Sequence, residues 1–230
     1  MVSKPLIIAI DGPSGAGKGT VARAVAARLG YRHVDTGAMY RALAWKALHD
    51  GLDLSDEASV AAVAERARFD VEGGRITIDG HDVATAIRTP EMDRASAMVA
   101  RHPAVRRVLV ARQRSYGQGG GVVMEGRDIG TVVFPGADLK IYLDASLEER
   151  ARRRAEERGL DPNGESGREI LEALRRRDRL DTTRAVAPLR VAPDARIVTT
   201  DGNRFEDTVS AVVGAIRDAE ARRSEEPARA

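Results

Sequence analysis

An apolar run, Leu6-Ile7-Ile8-Ala9-Ile10, passes through Asp11 into Gly12-Pro13-Ser14-Gly15-Ala16-Gly17-Lys18-Gly19-Thr20. No other stretch restricts the architecture of this chain as much. The run predicts a buried strand, the glycines a loop, and the Val21, Ala22, Val25, Ala26, Leu29 stripe a helix that Gly30 ends. Glycines let backbone N–H groups turn inward around an anion. The start of the helix adds its positive dipole end, and Lys18 adds a mobile point charge. Strand, loop and helix follow in the order that a polyphosphate cradle needs, which favours that reading over an ordinary glycine-containing turn. The spacing is G-x-x-x-x-G-K, but Gly19 stands where the motif usually has Ser or Thr, and the hydroxyl arrives one residue later at Thr20. Residues Gly12 to Thr20 are therefore the candidate triphosphate-binding loop.

The chain has 230 residues, 43% of them hydrophobic, enough for one substantial core. It has no cysteine, which excludes disulfides, thiol catalysis and cysteine metal sites and agrees with a reducing compartment. Met1 to Pro5 shows no signal-peptide pattern, and no apolar stretch approaches the roughly 18 residues of a membrane span. A soluble cytoplasmic protein is expected. The pI of about 9.1 invites a nucleic-acid reading. However, the 37 basic residues are nearly matched by 35 acids, and aromatics are only 3%, so stacking platforms are scarce. All basic residues but Lys4, Lys18, Lys46 and Lys140 are arginines. Arginine suits bidentate phosphate recognition, although so general a skew weakens the meaning of any one arginine cluster.

Further elements follow the same patterns. Short strands are expected at 31–34, 122–124, 139–143 and 195–199, and helices at about 36–48, 57–68, 91–101, 104–116, 146–158, 167–180 and 205–222. Apolar strands without alternation, spaced by helices, predict an α/β fold with a parallel sheet covered on both faces. Residues 69–72 and 75–79 alternate on both sides of Gly73-Gly74 and predict a hairpin in a small insertion. Pro103 separates two helices. Gly159 to Gly164 breaks the basic segment, and the tail beyond 224 is expected to fray.

Four clusters stand out beyond the loop. They are Asp35-Thr36-Gly37-Ala38-Met39-Tyr40-Arg41, Glu125 to Thr131, the run Arg150, Arg152, Arg153, Arg154, and Arg177 to Arg184. The first two follow strands, so they belong at the carboxyl edge of the sheet, where open α/β sheets bind ligands. Each cluster has a plain alternative. Arg41 could be a solvated helix residue, and Arg127-Asp128 an ion pair bracing a turn. Arg150–Arg154 could be a solvated basic face, and Arg177–Arg184 an intrahelical salt-bridge ladder. His33, His49, His81 and His102 lack metal-ligand spacing and read as structural or surface residues. No metal-ligating cluster and no Ser/His/Asp arrangement is legible.

Together, these motifs resemble those of the bacterial cytidylate kinases, in four segments that keep the family's order. They are Ile10 to Thr20, Asp35 to Arg41, Gly126 to Pro135 and Thr183 to Leu189. The resemblance spans Ile8 to about Ile216. It implies the P-loop nucleoside monophosphate kinase fold, with a core (1–68 and 104–224), a monophosphate-binding insertion (about 69–103), a short lid (about 155–168) and a disordered tail (225–230). It also implies that Thr36, Arg41, Arg127 and Arg184 hold the acceptor phosphate and that Arg106 and Asp128 read the base. Arg177 and Asp181 would reach the sugar, Tyr40 would belong to the same substrate-binding set, and Arg153 would serve ATP. Lys18, Arg127 and Arg184 are the implied catalytic cations. The family's base-contacting serine would fall on Ala97, with Ser96 one residue away.

The activity that this resemblance implies is transfer of the γ-phosphoryl group of ATP, with Mg²⁺, to CMP or dCMP by a monomer. Such transfer needs in-line placement and positive charge more than covalent chemistry. A carboxylate such as Asp128 can accept from the exocyclic amine of cytosine, whereas uracil presents an acceptor there. The nearest rival is another small-molecule kinase acting on AMP, UMP or a non-nucleotide acceptor. A nucleotide-switch protein lacks support, because no Asn-Lys-x-Asp segment occurs. Neither a nucleic acid nor a membrane is an expected partner.

Overall fold

The computed structural model describes residues 5–72 and 75–225. The chain opens with β1 (Ile7–Asp11), α1 (Lys18–Leu29), β2 (Arg32–Asp35), α2 (Thr36–His49) and α3 (Glu57–Arg66). A small antiparallel sheet follows, made of β3 (Phe69–Glu72), β4 (Arg75–Ile78) and β5 (His81–Asp82). Next come α4 (Pro90–Val99), α5 (Pro103–Tyr116), β6 (Val122–Gly126) and a single wide helical turn at Ile129–Val133. The chain closes with β7 (Leu139–Asp144), α6 (Leu147–Glu157), α7 (Glu165–Thr183), β8 (Arg196–Thr199) and α8 (Phe205–Glu225).

The main sheet runs β2-β6-β1-β7-β8, and every pair in it is parallel. The first strand therefore lies in the middle, with Ile8 registered on Val123 and on Leu139. Ile8 and Ile10 pack with Val21, Val25, Val209 and Ile216 on the α1 and α8 face. Ala9, Val34 and Met124 pack with Met39, Leu43 and Leu109 on the opposite face. Burial on both faces explains why β1 reads as a continuous apolar run. A fully buried isoleucine such as Ile8 contributes about 1.5–3 kcal/mol. A third, small apolar seam of Ala151, Ala155, Ile170 and Leu174 joins α6 to α7.

Local chemistry sets the helix starts. Asp35 accepts from Ala38 N–H at 2.9 Å, Asp56 from Ala58 and Ser59 N–H, and Thr89 from Met92 N–H at 3.2 Å. Pro103 separates α4 from α5 as expected, and does so as the first residue of α5, where a first-turn position needs no N–H donor. The differences from expectation are at ends and in short pieces. Helix α7 runs on to Thr183 and α8 to Glu225, and α3 stops at Arg66. The two-residue β5 and the wide turn had no sequence signal. Gly73-Gly74 and the tail after Glu225 lie outside the described residues.

Candidate active site

The loop after β1 is shaped by close contact. A Cβ on Gly12 would stand 2.0 Å from the Leu143 carbonyl oxygen, so only glycine fits. Gly17, at φ +85°, turns the chain into α1 in the left-handed region that favours glycine. Among the described residues no side chain caps α1. Its first-turn residues Lys18, Gly19 and Thr20, whose N–H groups have no intrahelical acceptor, line the cleft at the strand ends. That cleft has a volume of about 580 Å³ and is lined by Ser14 to Val21 among others.

Lys18 is buried, and its Nζ donates to the Pro13 carbonyl at 2.7 Å. Burial, aided by the Arg127 charge, pulls its ammonium pKa down to about 7. Asp11, at the end of β1, accepts from Ile129 N–H at 2.8 Å and Gly130 N–H at 2.7 Å. It ties the start of the loop to the wide turn. Burial raises the Asp11 pKa to about 6, against the lowering effect of those two N–H groups.

The remaining candidates arrive from four elements. Thr36, Tyr40 and Arg41 come from α2, Arg106 from α5, Arg127 and Asp128 from the end of β6, and Arg177, Asp181 and Arg184 from α7 and its end. All of them line the same cleft, as does Arg153. Of the nominated residues, Gly12 and Pro13 alone are absent from its wall. They form the base of the loop, and Pro13 acts there through its carbonyl.

Several alternatives left open by the sequence turn out to coexist. Arg127 Nε donates to Asp181 at 2.9 Å, and Arg177 Nε lies 3.3 Å from the same carboxylate, one turn back on α7. An intrahelical pair and a cross-cleft pair thus share Asp181. Burial pushes that carboxyl up, but Arg127 and Arg177 outweigh it and hold it below the ordinary range. Asp128 is buried between two guanidinium groups, Arg106 through one oxygen and Arg184 at 3.4 Å through the other. A carboxylate has about four lone-pair sites, so it can still accept from a ligand amine. The Arg106 guanidinium also sits 5.7 Å from the Tyr40 ring centroid. The Tyr40 hydroxyl and Arg41 Nε are buried without a hydrogen-bond partner among the described residues. Unpaired polar atoms in such a wall are what a polar ligand would satisfy. Thr36 differs, because its hydroxyl donates to the Glu125 carbonyl at 2.7 Å.

The arginines of α6 point in different directions. Arg150 donates to the Ser14 carbonyl at 3.1 Å and to Asp178, so α6 is fastened directly over the loop. Arg153 bonds Glu149 and Thr200, and its Nη1 lies 4.0 Å from where a Cβ on Gly17 would stand. Arg152 pairs with Glu149 and Glu156 on the exposed face, as a solvated ladder would.

Glu125, from the second cluster, lines the cleft as expected, whereas sequence reasoning missed Thr200, Asn203, Phe205 and Thr208, which line it too. Glu125 had a signal: it is the one charged residue in the buried strand Val-Val-Met-Glu-Gly. Its partner is His33 Nε2 at 3.0 Å, so that histidine is structural rather than superficial. Thr200 and Asn203 follow β8 and could have been found from the strand-end rule. Ser96 rather than Ala97 faces the cleft.

The sequence model of the cytidylate kinase family matches residues 8–218. The chain belongs to the cytidylate kinase family. A cytidylate kinase of Pelotomaculum thermopropionicum is 48% identical over 214 residues, covering 91% of this chain and 95% of that protein. The cytidylate kinase of Bacillus subtilis is 44% identical over 222 residues, covering 94% and 98%. Among solved structures, a gluconokinase from Sinorhizobium meliloti superposes with a TM-score of 0.54 at 16% identity, covering 97% of this chain and 99% of that one. That likeness concerns the fold alone. With the parallel sheet, the glycine loop and the small inserted sheet, it gives this cytidylate kinase family member the P-loop nucleoside monophosphate kinase fold.

Proposed function

We propose that this protein transfers the γ-phosphoryl group of ATP to CMP or dCMP, giving ADP and CDP or dCDP. The observation that carries the reading is the convergence of Lys18 with Arg41, Arg127 and Arg184 around one cleft that also holds Asp128. Two polyanions can meet only where several cations offset their repulsion, and phosphoryl transfer asks for little more than that charge and correct alignment.

In this reading the loop from Gly12 to Thr20 grips the donor triphosphate. Lys18, poised near neutrality, takes a proton as the anion enters and follows the transferring group. Arg127, Arg184 and Arg41 hold the acceptor phosphate. The Thr36 hydroxyl joins them when it exchanges its bond to the Glu125 carbonyl. Asp128 accepts from the cytosine amine, with Arg106 fixing its orientation, and the unpaired Tyr40 hydroxyl adds a donor beside them. Arg177 and Asp181 meet the sugar together with Ser96. Thr200, Asn203 and Phe205 bound the donor side near Arg153. No side chain needs to act as a strong general base.

Mg²⁺ accompanies ATP. The Thr20 hydroxyl and the carboxylates of Asp35 and Glu125 line the cleft and are hard oxygen donors of the kind it takes. When bound, it neutralises charge on the donor phosphates. The insertion (about 69–103) and the tip of the α6–α7 hairpin (about 155–168) are the parts that close over the two nucleotides and exclude water. The protein acts as a cytoplasmic monomer on small molecules, without nucleic acid or membrane.

The deciding experiment offers CMP, dCMP, UMP, AMP and a set of non-nucleotide acceptors with ATP and Mg²⁺, scored by ADP release. CMP and dCMP should be turned over far faster than the rest. Preference for any other acceptor would overturn the assignment.

A further inference from the structure

Asp93 lies in the first turn of α4, and three arginines from the α6–α7 hairpin converge on it. Its carboxylate accepts from Arg154 Nη2 at 2.7 Å and lies 4.0 Å from Arg158 Nη2. Its carbonyl accepts from Arg177 Nη1 and from Ser96 Oγ at 3.0 Å. Arg177 also reaches Ser96 Oγ at 3.4 Å and Asp181 at 3.3 Å. Arg150, Arg152 and Arg153 find their acids within the hairpin itself, whereas Arg154, which also meets Glu157 at 3.5 Å, makes its shorter contact across to the inserted segment. Arg154, Arg177, Ser96 and Asp181 all line the cleft.

We propose that Asp93 is a positioning residue that couples the two halves of the cleft, so that seating one nucleotide prepares the place of the other. The inference rests on the kinase reading above. A sugar held by Arg177, Asp181 and Ser96 fixes the α4 backbone at Asp93. The Asp93 carboxylate then holds Arg154 toward the transferring phosphate. The side chains of Arg154 and Asp93 are 33% and 36% exposed. Such a half-exposed pair is weak by itself. It forms when the inserted segment and the hairpin already touch, and it can break in every cycle. A permanent brace would be buried, as the Arg106–Asp128 pair is. Coupling of this kind is reciprocal in the two affinities.

The test is Asp93→Asn, which keeps the helix, the size and the backbone carbonyl but removes the charge that draws Arg154 across to α4 and leaves it only Glu157. CMP binding is titrated by calorimetry with and without a saturating non-hydrolysable ATP analogue and Mg²⁺. In the wild type the analogue should tighten CMP binding at least fivefold. In Asp93→Asn the enhancement should shrink to less than twofold, with kcat reduced and the Kd for CMP alone within twofold of wild type. Asp93→Glu should recover most of the coupling. Undiminished coupling in Asp93→Asn overturns the proposal, and so does a parallel loss of melting temperature and kcat in both variants. Failure of CMP to bind the wild type would overturn the kinase reading itself, which is a different result.

Discussion

Glu125 fills the space that a side chain at Gly19 would need: its Oε1 lies 3.1 Å from the position of a Cβ there. Most loops of this pattern carry Ser or Thr at that place, and here a carboxylate from the neighbouring strand stands beside it. Glu125 has little room to retreat, because it is buried and bonded to His33. Gly19→Ser should therefore destabilise the protein by about 1–3 kcal/mol through overpacking. Glu125→Asp, one methylene shorter, should restore part of the loss. Thermal melts of the two single variants and the double variant check this, and additive losses would refute the contact as the cause.

Lys18→Ala should abolish most turnover, on the order of a hundredfold or more, while the protein stays folded. Burying the ammonium depresses its pKa to about 7, so the fold gains nothing from the charge. The melting temperature should equal or exceed that of the wild type. A steady-state rate matching wild type would remove the central residue from the mechanism.

The same lysine predicts proton uptake on ATP binding. In the free protein Lys18 is largely neutral at pH 8, being above its pKa of about 7. A bound triphosphate favours the charged form and raises that pKa, so a proton enters with the nucleotide. By linkage the affinity falls as pH rises above 7. Calorimetry at pH 8 in buffers of different ionisation enthalpy should show uptake that disappears in Lys18→Ala. Equal uptake in both proteins would assign the proton elsewhere.

Asp128→Asn should lower the preference for CMP over UMP by about 1–3 kcal/mol, read as the ratio of their kcat/KM values. The amide can present a donor to the uracil oxygen, which the carboxylate cannot. The variant should also melt earlier than wild type, since Arg106 and Arg184 lose a buried counter-charge. An unchanged ratio of the two kcat/KM values rules Asp128 out as the base-reading group.

The loop, the main strands and the order of the helices were legible because each follows from short-range pattern. Ile8, Ala9 and Ile10 form an unbroken apolar run, as a strand covered on both faces needs, and Asp35 caps the helix that it precedes. Partner choice was not legible. Nothing in the run Arg150–Arg154 says that Arg150 turns to Asp178 and Arg154 to Asp93, because those pairings depend on how α6 packs on α7 and α4. By position in the sequence the family's serine falls on Ala97. In the fold α4 brings Ser96 to the cleft beside Arg177. Glu125 and His33 meet across 92 positions of sequence, a separation that no local pattern encodes.

The apolar residues between α6 and α7 have a consequence for motion. Ala151, Ala155, Ile170 and Leu174 pack among themselves and belong to neither large core. The helical pair can therefore tilt as a rigid paddle without exposing the oily interior of the sheet. Amide protons near its tip should exchange with solvent long before those of β1, because the paddle can swing away at the expense of a few polar tethers alone.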